Sequence, residues 1–166
     1  MADNNLKYDV DGYDVITTAL RTILNQYPAI NSGDEISFSM LAEDGGKAMF
    51  PTQGAIIQRE IEDVTGHVTQ TCLYPFIVRY RAAGLTQGRK AAVKEWLDNL
   101  GKWLEKQPVI IGGVEYKMND YPVLSGDRKI LSITRTSPAY LNSINANMVE
   151  DWDISITTRY RNEFDR

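Results

Sequence analysis

An α+β fold, in which a mostly antiparallel sheet carries one short N-terminal helix and one long helix, follows from three observations in the sequence. Apolar residues recur at helical spacing in two segments, Tyr13 to Gln26 and Val93 to Leu104. They alternate with polar residues in others, most strongly in Trp152 to Arg161. Two further apolar stretches, Ala55 to Val64 and Val68 to Arg81, flank Thr65-Gly66 and predict a hairpin, hence antiparallel pairing. The chain has 166 residues, the size of one domain, so residues 1–166 are expected to share a single core.

In the first helix Val15, Ile16, Ala19, Leu20, Ile23 and Leu24 draw one stripe. Asp11 or Asp14 is expected to cap its start, and Pro28 to end it. Glu35 to Met40 predicts a half-buried strand, with Ile36, Phe38 and Met40 on one face. Leu41 to Thr52 holds Gly45, Gly46 and Pro51 with few apolar residues, and predicts a long exposed loop.

After the hairpin turn, Cys72, Tyr74, Phe76, Val78 and Tyr80 share one strand face. Thr71, Leu73, Ile77, Arg79 and Arg81 share the other. Pro75 predicts a bulge or an edge position there. Thr86 is the expected cap of the long helix, whose core side carries Trp96, Leu97, Leu100, Trp103 and Leu104 until Pro108 stops it. Its other side, from Lys90 to Lys106, reads as a solvated charged face. Val109 to Asp127, with Gly112-Gly113, predicts short strands or loops. Lys129 to Arg135 fits a strand, and Asn142 to Met148 a polar connection.

A formal charge of −4 opposes a broad phosphate-neutralising face, so sequence-specific nucleic-acid binding is not expected. No apolar run is long enough to span a bilayer. The single cysteine, Cys72, cannot form an internal disulfide, and the opening residues do not resemble a secretion signal; a reducing compartment is expected. Nine tyrosines and three tryptophans suit either a core or an interface.

Catalytic signals are sparse. The one histidine, His67, follows the hairpin turn, where an exposed and inert ring is expected; an enzyme using it with nearby carboxylates is the alternative. Cys72 alternates with the inward residues and reads as a small buried hydrophobe. Asp9, Asp11, Gly12 and Asp14 superficially follow a calcium loop, but the glycine comes too early and the closing glutamate is missing. Neither glycine pair has the lysine and the strand-to-helix setting of a phosphate loop. No metal and no cofactor are expected.

The order of helix, hairpin ending in FIVRYRAAG (Phe76 to Gly84), helix segment KEWLDNLGKWLEKQP (Lys94 to Pro108) and closing strand EDWDISITTRYRNEF (Glu150 to Phe164) resembles the tail terminator proteins of long non-contractile-tailed bacteriophages of Gram-positive hosts, a group often labelled minor capsid proteins. The resemblance covers most of the chain from Tyr13 onward. It implies a non-enzymatic subunit of a hexameric ring that caps the tail tube and meets the head–tail connector. Its implied location is the virion tail, and the host cytoplasm during assembly. Another connector or tube subunit is the neighbouring alternative. On this expectation Arg59, Arg79 and Arg81, together with loops at Gly45-Gly46 and Gly112-Gly113, contribute to subunit or tube contacts.

Overall fold

The structure, a computed structural model, describes residues 6–124 and 126–166. Its elements run β1 (Lys7–Tyr8), α1 (Val10–Leu24), β2 (Ile36–Phe38), β3 (Gly46–Pro51), β4 (Ile56–Glu62), β5 (His67–Ala83), α2 (Gln87–Leu104), β6 (Val109–Ile111), β7 (Val114–Tyr116), β8 (Arg128–Arg135), β9 (Tyr140–Ile144) and β10 (Val149–Asp165). The fold class is α+β, with a mostly antiparallel sheet, as the sequence predicts.

The sheet has eight strands built around one long ladder. β5 and β10 pair antiparallel along their whole length, from Ala83 opposite Val149 to His67 opposite Asp165. β4 and β3 share the outer side of β5, and β8 and β9 share the outer side of β10. β1 adds to β4, and β2 adds to β3 in the sheet's parallel pair. β6 and β7 form a separate hairpin whose two-residue turn is Gly112-Gly113, with φ of +58° and +78°, the left-handed values such a turn requires.

Alternation along β5 and β10 sends Cys72, Tyr74, Phe76, Val78, Ile154, Ile156 and Tyr160 to one face, where they are buried with both helices. Leu97, Leu100 and Leu104 of α2 are fully buried on that face. Trp96 is half-buried at its margin, edge-on to Tyr27 and Tyr80, and donates its indole N–H to Ala29 O at 3.2 Å. Gly101 lets α2 approach the sheet: a Cβ there would lie 2.3 Å from Arg135 Cδ and 3.0 Å from Ile154 Cδ1. Thr158 is fully buried on the same face, and its hydroxyl has no hydrogen-bond partner among the described residues.

Several local expectations need correction. Asp9 caps α1, accepting the Gly12 N–H, because the helix begins one turn earlier than the apolar stripe. Leu41 to Thr52 is not a loop throughout: Gly46–Pro51 is β3, with Ala48 and Met49 fully buried against β5. Met40 does not continue β2, because Ser39 at φ +51° turns the chain and leaves Met40 exposed. Asn142 to Met148 is in part strand β9. The charged side of α2 is not simply solvated, since Glu105 clamps Arg135 and Asp98 accepts the Ala139 N–H.

Pro75 lies at the one place where its missing N–H is harmless. β4 pairs with β5 only as far as Leu73, and β3 begins at Phe76. The Pro75 carbonyl accepts from Thr52 at 3.1 Å, so its nitrogen, on the same side of an extended strand, faces the seam between the two neighbours.

Candidate interaction surface

Both helices lie on one face of the sheet, and the opposite face is uncovered. Ile56, Leu73, Ile77 and Phe50 stand half-buried on it beside the threonines and serines of β5 and β10. Arg79 and Arg81 project from this face, on the side opposite the apolar set. Each is closed by a fork from the facing strand. Arg79 donates to Asp153 at 2.8 and 2.9 Å, and Arg81 to Asp151 at 2.7 and 3.0 Å. The Arg79 guanidinium also lies 5.3 Å from the Phe50 ring centroid, and Arg81 reaches the Ala42 carbonyl.

Hydrogen bonding from Arg81 outweighs desolvation and holds the Asp151 carboxyl below its usual range. The bonds that Arg79 donates to Asp153 likewise raise Arg79 above its ordinary value. The forks give the face both signs of charge in fixed register near the Ala83–Val149 end of the β5–β10 ladder.

The other expected contact residues scatter. Arg59 is exposed on β4, beside a bulge and on the same face as Arg79 and Arg81. Gly45 and Gly46 lead into β3 beside Arg81, whereas Gly112 and Gly113 form the tip of the β6–β7 hairpin. Ile110 and Val114 of that hairpin are exposed. The core-helix residues Leu97, Leu100 and Leu104 face inward, away from this surface.

His67 is exposed and donates its Nδ1–H to Asp165 Oδ1 at 2.8 Å, and this bond together with the nearby Glu163 and Asp63 raises its pKa. Burial pushes the Cys72 thiol up to about 11, so it stays protonated near neutrality. Asp9, in a groove with Gln70, Arg128 and Asn162, accepts from Gly12, Tyr160 and both sides of the Arg128 fork. Its lone pairs are occupied by structure.

No group of three or more His, Cys, Asp or Glu placed to hold a metal occurs among the described residues, and none of their helices is long and apolar enough to cross a membrane. The cross-strand forks were invisible to sequence reasoning, because Asp151 and Asp153 become partners of Arg81 and Arg79 only once the β5–β10 register is known. Compared with family models and with curated proteins, the chain matches none.

Proposed function

We propose that this chain is a ring-forming assembly subunit that caps a phage tail tube, ends its polymerisation and offers a surface for head joining. The observation that carries the proposal is the uncovered face of the sheet, where half-buried Ile56, Leu73, Ile77 and Phe50 share one surface with fixed Arg–Asp pairs. A face with apolar side chains and a defined charge pattern suits cover by another subunit, with the apolar residues supplying area and the charges supplying register. The resemblance in the Phe76 to Gly84 and Lys94 to Pro108 segments supplies the word tail, which no physical feature does by itself.

Capping needs binding alone. A tube of stacked rings keeps an open, self-complementary end, and growth stops when that end is covered by a subunit whose outer face differs. Electron microscopy of the pure protein, alone and mixed with tail tubes, tests this. A ring seated on the tube end is expected, and bare tube ends at saturating protein would overturn the reading. A ring within the tube wall or at the head portal would instead favour a tube or connector subunit.

A further inference from the structure

The open edges of the sheet are not treated alike. At β2, the Asn25 side chain imitates a neighbouring strand: it accepts from Ile36 N at 2.8 Å and donates to Ile36 O at 3.1 Å. At β8, the outward N–H of Ile133 is taken by the Tyr121 hydroxyl at 3.2 Å, and that of Arg135 by Glu105 at 2.8 Å. β4 is partly covered by β1, and its remaining edge carries Arg59, Glu60 and Glu62, charges that discourage strand pairing.

β9 has none of these devices. Asn145 donates its N–H to Val149 O, so the alternation of an extended strand turns the N–H and C=O of the preceding Ile144 away from β10. Among the described residues, no side chain or backbone group of another element bonds this outward edge. Its side chains are equally unguarded: every residue from Tyr140 to Met148 is exposed, among them Tyr140, Leu141, Ile144 and Met148. From Thr136 to Val149 the chain has no charged residue, although charged residues make up 24% of the sequence. The only guard is a bulge at Asn142 and the strand's short length.

We infer that β9 takes up, by strand addition, an uncharged extended segment of a partner protein. The inference rests on the reading of the chain as an assembly subunit and names the chemistry of one of its contacts. Unpaired main-chain groups call for a main-chain partner, and an edge without charge favours a strand that brings none to desolvate. The arriving strand would lay alternate side chains on Leu141 and Ile144 on the helix side, and on Tyr140 and Ser143 on the open side. A second copy joined through this edge alone would share only a five-residue strand, too little for the roughly 800 Å² per partner of a standard interface.

The test is an amide NMR titration of the full chain with three end-blocked octapeptides, in which valine alternates with threonine, glutamate or lysine. The valine–threonine peptide is expected to shift the Tyr140 to Ile144 amides saturably, to slow hydrogen exchange at Ile144, and to bind about tenfold more tightly than either charged peptide. Ile144→Lys should weaken that binding about tenfold, whereas Ile61→Lys on the opposite edge should not. Absence of saturable shifts at β9, equal binding of the charged peptides, or indifference to Ile144→Lys would overturn the inference. Shifts of the β9 amides on raising protein concentration alone would make a second copy the occupant and overturn the choice of partner. The titration needs no tail tube, so its failure and a failure to find rings are separate results.

Discussion

Asp9 and Arg128 stand 119 residues apart in sequence and are joined by two hydrogen bonds, of 3.0 and 2.8 Å, that fasten the start of α1 to the first residue of β8. Burial alone would push the Asp9 carboxyl up. Hydrogen bonds from Arg128, Tyr160 and the Gly12 N–H outweigh it and hold Asp9 below its ordinary value of 3.8. A carboxyl depressed in the folded state contributes stability that is present above the unfolded pKa and lost as pH falls through the folded one. Arg128→Met should therefore destabilise the protein by about 3 kcal/mol near neutrality, by leaving a buried carboxylate unpaired. Denaturant titrations between neutral pH and pH 3 should show wild type losing more stability than Arg128→Met at the acid end. Parallel curves would refute the assignment.

Thr158→Val should stabilise the protein. The threonine hydroxyl is buried without a partner, while its β-branched shape already fits the strand. A gain of about 1 kcal/mol is expected from the removed desolvation penalty, measured as a shift in the urea midpoint at constant slope. A loss would mean that the hydroxyl has a partner, such as an ordered water.

Arg81→Asp should cost about 2 kcal/mol, because it breaks the fork and sets two carboxylates against each other across the β5–β10 pair. The swap Arg81→Asp with Asp151→Arg should recover much of that. The swap also separates stability from assembly: a stable swapped monomer that no longer forms rings would give the charge pattern a role between subunits. Unchanged ring formation would confine it to the sheet.

The His67 imidazole should titrate above its ordinary value of 6.5, chiefly because Asp165 bonds it. A raised histidine contributes stability that is fully present below its unfolded pKa and lost as pH rises through the folded one, and salt should screen this exposed pair. Proton NMR of the ring checks it. Asp165→Asn should bring the midpoint down toward 6.5, and an unmoved midpoint would rule out the pair in solution.

The sequence made α2 legible because its buried face is almost purely apolar, and β10 because Trp152, Ile154, Ile156 and Tyr160 alternate with polar residues, even though Thr158 and Asn162 are buried on the same face. It hid β3 for the opposite reason. Gly46 and Pro51 read as punctuation, and the inward position of Lys47 breaks the alternation. That lysine is accommodated by Asp34 and by the Tyr80 and Trp96 rings, 4.5 and 5.3 Å from its ammonium, partners that only the tertiary fold brings near. The cap at Asp9 was masked by Asp11 and Asp14, equally good caps on local grounds. The uncovered face itself was half legible: the alternation of β5 set Arg79 and Arg81 apart from the core, but not the aspartates that answer them.

The β5–β10 ladder also sets an order of events for a chain emerging from the ribosome. β10 comes last among the described strands, yet β8 and β9 have no other strand to pair with and β5 needs it for one of its two edges. Its shortest connection to β5 closes a loop from Ala83 to Val149, so the central contacts are among the most distant in sequence and slow to form. Until β10 is made, the buried face of β5 has half its sheet missing and β8 has no strand to join. The nascent chain passes through an interval in which its stickiest surface is open, and the eight-stranded sheet is complete only after β10 has been synthesised.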